Sequence, residues 1–284
     1  MFMPEKSPRP EPALGCATSC QVTVQRWLDG KLAEVSDEVA EEAPVALTFH
    51  GVPHVVMLAT PADLADLAVG FALSESIVAS AQEIHSVEPA QREDGALEVR
   101  IGIAAPRFSD LLRRQRNLTG RTGCGLCGVQ TVEEAIRNPA PVGRGPTVNA
   151  TAMHQALRDL GEQQAVNART GSVHAAAWVQ PESGIRLVRE DVGRHNALDK
   201  AIGAVVRAGE DFSSGYFVVT SRASYEMVQK AATVGASFLA AVSAPTGLAI
   251  RLAESCGLTL VGFAREHQHV VYTHPQRLVQ SFQP

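Results

Sequence analysis

The sequence predicts an α/β protein with a mixed, mostly parallel sheet, preceded by a smaller α+β part. Three observations carry this. From residue 172 onward, short apolar strands alternate with helical stretches, the pattern of βαβ units. Before residue 118 strands dominate. The 284-residue chain is 45% apolar and only 19% charged, below the ~25% charged of an average globular protein. It is long enough for one large domain or two smaller ones.

Residues 1–24 hold four prolines and no periodicity, so they are expected to form a mobile leader. Residues 25–118 read as the small α+β part. Within it, "APVALTFHGVPHVVMLAT" gives two strands around Gly51. Thr60 then reads as a helix N-cap, with Pro61 in the first helical position and Asp63 in the third. Leu64, Leu67, Ala68 and Phe71 recur on one helical face. "EIHSVEP" and "ALEVRIGIA" read as strands, and "PRFSDLLRRQRNL" as a helix. Residues 119–148 are a Gly-rich loop with a CxxC pair, followed by the linker "NPAPVGRGP". Residues 149–284 form the α/β domain. It opens with a helix capped by Asn149 or Thr151 and runs to a last buried strand, "LTLVGFA".

Composition excludes several classes. A net charge of −5 makes nonspecific nucleic-acid binding a poor fit. The basic run Arg113, Arg114 and Arg116 reads as a solvated helix end. No apolar run reaches the ~18 residues of a membrane helix. The opening "MFMPEKSPRPEPALG" has no apolar signal core and no Ala-x-Ala site. The expectation is a cytoplasmic protein whose five cysteines start as free thiols. Cys256, near a helix end, reads as a small core hydrophobe. Cys16 and Cys20, in the leader, carry no expected role.

Polar residues fall where strands run into helices, which in open α/β sheets is where ligands bind. "LVRED" leads into "VGRHN" and delivers Glu190, Asp191, Arg194 and His195. "FVVTS" leads into "RAS" with Ser221, Arg222 and Ser224; "LAAVS" leads into "APTG" with Ser243 and Thr246. "LVGFA" leads into "REHQ" with Arg265. Each serine or aspartate alone could be an N-cap. Together with free N–H groups at helix starts, Arg222 and Arg265 suit a phosphate-bearing ligand. His174, opening a strand after Gly171, lines the same cleft or is a satisfied strand-end histidine.

The pair Cys124 and Cys127, in "RTGCGLCGVQ", admits several readings. A zinc site wants four ligands and this pair supplies two. No His-x-Glu occurs, and Cys124 follows Gly rather than Pro, which removes zinc-deaminase chemistry. No structural metal is therefore expected. A thioredoxin-like couple would follow a strand and open a helix, whereas here a basic helix precedes the pair. A third reading is a thiolate that carries a transferable group, its pKa lowered by Arg121 and the arginines before it. The local residues allow all three.

Assembled, the motifs resemble the formate dehydrogenase accessory sulfurtransferase family (FdhD). The resemblance covers residues ~38–280 through "EEAPVALTFHGVPHVVMLATP", "RTGCGLCG", "VREDVGRHNALDK", "SRASYEMVQKAA", "AVSAPT" and "LTLVGFAR". It implies a sulfurtransferase that takes sulfur from a cysteine desulfurase as a persulfide on Cys124. The sulfur would pass to the molybdenum of bis(molybdopterin guanine dinucleotide), bound as substrate, before that cofactor enters formate dehydrogenase. It implies a cytidine-deaminase-like three-layer sandwich, acting as a homodimer. It also implies a cofactor-binding stretch at Phe263, Ala264, Arg265, Glu266, His267 and Gln268, which the strand-end reading joins at the cleft with Ser221, Arg222, His174 and His195. The family often has a glycine where this chain has Glu266–His267–Gln268, and a carboxylate beside a pyrophosphate is unfavourable unless it faces away. Two other functions fit the same residues: a cofactor-binding chaperone without sulfur transfer, and a thiol–disulfide oxidoreductase.

Overall fold

The computed structural model describes residues 13–118, 138–265 and 267–280. Cys124, Cys127 and Glu266 lie outside the described residues, as does the first half of the expected leader. The chain enters its first strand, β1 (Ser19–Leu28), inside residues 1–24. That strand forms a ten-pair antiparallel hairpin with β2 (Lys31–Ala40), from Ser19↔Ala40 to Leu28↔Lys31.

The small part follows as β3 (Ala43–Phe49), β4 (Val52–Ala59), α1 (Leu64–Ser74), β5 (Ile84–Gln91), β6 (Leu97–Ile103) and α2 (Ala105–Leu118). Its four strands are ordered β4-β3-β6-β5. Alternate residues Val45, Leu47 and Phe49, and Leu97, Val99 and Ile101, enter the core, as period two requires. The cap expected at Thr60 is not used. Helix α1 starts at Leu64 with Asp63 in the cap position, in the left-handed region at φ 52°. Thr60 is buried, and its Oγ1 accepts from Val192 N at 3.1 Å. The chain turns between them because that side chain is drawn into another contact.

The larger part holds β7 (Val148–Asn149), α3 (Ala150–Gln163), the short α4 (Asn167–Thr170), β8 (His174–Gln180), β9 (Gly184–Asp191), α5 (Arg194–Arg207) and β10 (Tyr216–Val219). It continues through α6 (Tyr225–Thr233), β11 (Phe238–Ala241), α7 (Gly247–Cys256), β12 (Thr259–Arg265), β13 (Gln268–Thr273) and β14 (Leu278–Val279). Asn149 caps α3, accepting from Thr151 N at 2.8 Å. Cys256 is buried in the core.

Six strands make one sheet in the order β13-β12-β11-β10-β8-β9. It is mixed but not mostly parallel: β10–β11 and β11–β12 are parallel, while β8–β9, β8–β10 and β12–β13 are antiparallel. Among neighbouring strands, those joined through α6 and α7 have the crossover that parallel pairing demands, while β9 and β10, joined through α5, are separated by β8. Tight turns make β8–β9 and β12–β13 hairpins, and β12 is therefore not the last strand. Ala176, Trp178, Phe217 and Leu239 face α5, α6 and α7, while Ala177, Tyr216, Val218 and Ala240 face Met153 and Leu160 of α3. The result is three layers, helix–sheet–helix.

The small part is welded to this body at one helix crossing. A Cβ on Gly70 of α1 would fall 1.8 Å from the Asp199 carbonyl oxygen, and one on Gly203 of α5 would fall 1.9 Å from that of Asp66. Only glycine permits so close an approach. Charged side chains ring the crossing. Arg189 Nε and Arg207 Nη1 meet Asp66 at 2.7 and 2.6 Å. Lys230 Nζ donates to Asp199 and Glu75 at 2.9 and 2.8 Å, and Ser74 Oγ donates to Asp199 at 2.7 Å.

Burial pushes the Asp199 carboxyl up, against the pull of Lys230 and Ser74. Removing one member of a buried pair costs about 3–5 kcal/mol because it strands the other charge. Lys230→Met is expected to destabilise the protein by that order at neutral pH. A carboxyl whose pKa is raised by folding favours the fold when protonated, so its contribution is lost as pH rises through the folded value. The variant should therefore regain part of its stability toward the carboxylate range. Urea unfolding at neutral and mildly acidic pH checks this; equal losses at both would contradict it.

Candidate functional site at the carboxyl edge of the sheet

Register places the polar strand ends along one edge. His174, opening β8, is paired with Asp191, closing β9. Next to them Thr220 N donates to Ala175 O at 3.0 Å and Val242 N to Val219 O at 3.0 Å. Ala223 and Pro245 form a parallel bridge, and Thr246 N donates to Ala223 O at 3.0 Å. Phe263 N donates to Ser243 O at 3.2 Å. The loops after β10 and β11 and the end of β12 thus run side by side, tied by main-chain bonds. A Cβ on Gly262 would lie 2.8 Å from Pro245 Cδ, so the loop after β11 lies directly on β12.

Four of the expected polar groups are spent on structure. Asp191 is fully buried. Its carboxylate accepts from Gly193 N at 2.8 Å and Thr60 N at 3.0 Å, and pairs with Lys200 Nζ at 2.6 Å. Glu190 accepts from Val166 N and Asn167 N at 2.9 and 2.8 Å. Thr246 caps α7, accepting from Ala249 N at 3.3 Å. Ser221 is buried and donates to Arg222 O at 3.0 Å, so it caps no helix. A strand-end carboxylate in a sequence shows its charge but not its burial, and that is why Glu190 and Asp191 read as ligand groups.

The rest line the edge. Arg222 and Arg265 are exposed, and His174, His195 and Phe263 are half-buried. Phe263 sits in the left-handed region at φ 49°, at the irregularity between Gly262 and Arg265. That kink sends β12 past its last β11 partner, Val261, to Arg265, which pairs with Gln268 across the turn. His267 is exposed in that turn. Ala264 differs from the expectation of a cleft wall: its side chain is fully buried in the cluster against α3.

Sequence reading missed Glu226. It lies in the first turn of α6, and its Oε2 is 2.7 Å from His195 Nε2 in the first turn of α5. The His195 imidazole beside it holds the Glu226 carboxyl below its usual range. The signal was present as an acidic residue at a helix start, a position the helix dipole favours on its own. Burial, together with Arg194 and His195, holds His174 below the ordinary histidine value. The edge therefore offers guanidinium groups at Arg222 and Arg265, two imidazoles and three helix starts. That set suits an anion carrying an apolar or aromatic ring, which Phe263 can face. Among the described residues, no group of three or more His, Cys, Asp or Glu is placed to hold a metal, and no helix is long and apolar enough to cross a membrane.

The fold and edge define an α/β protein with an anion-suited rim on one sheet edge, and comparisons with known proteins place it further. The FdhD/NarQ family model matches residues 40–279, and the chain belongs to that family. It is 53% identical over 261 residues to a sulfur carrier protein FdhD of Cupriavidus necator, covering 92% of this chain and 90% of the relative. It is 52% identical over 256 residues to the protein of that name in Xanthomonas euvesicatoria, covering 90% and 91%. A crystal structure of a candidate formate dehydrogenase accessory protein from Desulfotalea psychrophila superposes with a TM-score of 0.73 at 20% identity. It covers 93% of this chain and 100% of that one, a likeness of fold.

The His174 ring should titrate below the ordinary histidine value. Arg194→Gln should move it only part of the way back, because burial is the larger cause. A histidine whose pKa is lowered by folding contributes stability above its unfolded value and loses it as pH falls through the folded one. NMR titration of the His174 ring checks both; full restoration by Arg194→Gln would mean charge rather than burial sets the shift.

Proposed function

We propose that this chain is a sulfurtransferase-type carrier in formate dehydrogenase maturation. Cys124 takes sulfur from a cysteine desulfurase as a persulfide, with Cys127 as its companion thiol. The acceptor is bis(molybdopterin guanine dinucleotide), held as substrate at the carboxyl edge of the sheet. The protein works in the cytoplasm as a homodimer and delivers the cofactor to formate dehydrogenase. The three layers support reading the body as cytidine-deaminase-like, with the deaminase metal chemistry lost.

The observation that carries the reading is the extent of the likeness. Relatives named for sulfur carriage match 90% or more of the chain at 52–53% identity. The chemistry of the edge supports the nucleotide end of the ligand. A pyrophosphate suits helix N-termini and guanidinium groups, and a base suits the face of Phe263. Arg222 and Arg265 clamp phosphate, while the half-buried His174 and His195 border the ring.

Incubation with a cysteine desulfurase and cysteine should add the mass of one sulfur atom at Cys124. Cys124→Ala should lose both that adduct and dehydrogenase maturation, with Cys127→Ala weaker but active. Full maturation by Cys124→Ala would move the carrier elsewhere.

A charge-assisted hydrogen bond is worth ~1.5–3 kcal/mol. Arg222→Ala or Arg265→Ala should therefore weaken GDP binding roughly ten- to a hundred-fold, while Cys124→Ala leaves it unchanged. Calorimetric titration decides; binding that survives both arginine losses places the ligand elsewhere.

A further inference from the structure

Three of the eight exposed large hydrophobic side chains among the described residues crowd the tip of the β1–β2 hairpin. Trp27 is 69% exposed, Leu28 65% and Leu32 64%. Trp27 and Leu32 are direct cross-strand partners, so they form one apolar face. The root of the hairpin is held: Arg169 of α4 meets Glu38 at 2.7 Å and donates to Thr18 at 3.3 Å. Beyond Val24 and Val35 nearly every side chain is exposed. An isolated two-stranded hairpin is marginal in water, and a bare tryptophan–leucine tip makes it a poor free-standing element.

A second apolar patch lies on β4, the outermost strand of the small sheet. Val56 and Leu58 point outward, 65% and 57% exposed. An uncovered apolar edge strand is a template for pairing with another chain. The hairpin and this patch account for five of the eight exposed large hydrophobics.

We propose that the hairpin tip of one copy docks on the outer face of β4 in a second copy, and the reverse, closing a two-fold dimer. The inference takes up the homodimer of the proposed function and assigns its surface. One chain carries both the projecting element and the flat receiver, the condition for a self-complementary two-fold contact. Among the described residues of its own chain the tip meets no cover, at the end of an arm of ten residues per strand, about 33 Å long. Burying Trp27, Leu32, Val56 and Leu58 removes roughly 500 Å² per copy from water, more than half of the ~800 Å² per partner in a standard stable interface; Leu28, on the opposite face of the hairpin beside Lys31, does not contribute. An arm that is marginal when bare needs a cover present whenever the chain is folded. A second copy meets that need, whereas a transient client does not.

The test is sedimentation of the full chain across a concentration range. Wild type should be dimeric. Trp27→Asp with Leu32→Asp, and separately Val56→Asp with Leu58→Asp, should each weaken dimerisation roughly thirty-fold or more, the scale of losing a buried aromatic anchor. Trp27→Ala, a milder change at an exposed site, should weaken it in the same direction, and an unchanged far-UV circular dichroism spectrum below the melting range confirms that the variants fold. Mixing the tip variant with the β4 variant should restore dimers, because one tip–β4 contact is then intact. A dimer insensitive to both pairs of substitutions overturns this surface and leaves the homodimer standing. A mixture that stays monomeric overturns the pairing of tip with β4. A monomeric wild type removes surface and homodimer together, and none of these outcomes bears on the sulfur adduct at Cys124.

Discussion

The crossing of α1 and α5 is the contact on which the rest of the structure depends. Two glycines bring the helices to backbone contact, Gly70 against the Asp199 carbonyl and Gly203 against the Asp66 carbonyl. No side chain separates the helices there, so the surrounding charges are drawn under the surface and must find partners. Asp66 meets Arg189 and Arg207 across the divide, and Ser74 and Thr60 reach across it to Asp199 and Asp191, whose cationic partners Lys230 and Lys200 lie within the body. Buried pairs of this kind are weak evidence for stability, because desolvation offsets much of their attraction. Their geometry nevertheless fixes how the small part sits on the body. One continuous apolar cluster, from Val45 and Leu67 to Phe217 and Leu252, then makes the two parts a single folding core.

The same network reaches the candidate site. Asp191 closes β9 opposite His174, and its carboxylate holds Thr60 N and Gly193 N. Through Gly193 it sets the start of α5, and so the position of Arg194 and His195. His195 in turn meets Glu226 at the start of α6. The rim is therefore built on rigid elements with buried supports, the arrangement that keeps functional groups in place. Its cationic groups at Arg222 and Arg265 remain exposed, so the supports are buried and the ligand-facing groups are not.

Much of this was legible in the sequence. The strands around Gly51, the helices opened by Asn149 and near Pro245, and the polar exits from β9 to β12 all follow from local pattern. What was not legible depends on tertiary contact. "QVTVQRWL" gives no core signal because its tip is not covered by the chain itself, so the first strand was absorbed into the leader. Thr60 has the chemistry of a cap, but its hydroxyl is taken by Val192 N, more than a hundred residues away. The parallel character of the sheet was overestimated because Pro181–Ser183 and the turn after Arg265 are too short for crossovers and force hairpins. Glu226 was missed and Ala264 misread for one reason: a sequence gives residue type, whereas burial and pairing decide which side of the sheet a residue serves.

The described chain on either side of residues 119–137 is anchored away from the rim. On the entering side, Arg114 of α2 donates to Ser76 O just beyond α1, near Lys230 in the last turn of α6. On the leaving side, Val142 N donates to the carbonyl of Cys256, the last residue of α7. Gly145 lies against Ser237, just before β11. Helices α6 and α7 start at the carboxyl edge and run away from it, so all three anchors lie toward the opposite edge of the sheet from Arg222 and Phe263. The described stretches on either side of residues 119–137 thus meet the body at the edge opposite the rim. The α1–α5 crossing bears on that placement, because α2 follows the small sheet that α1 fastens to the body.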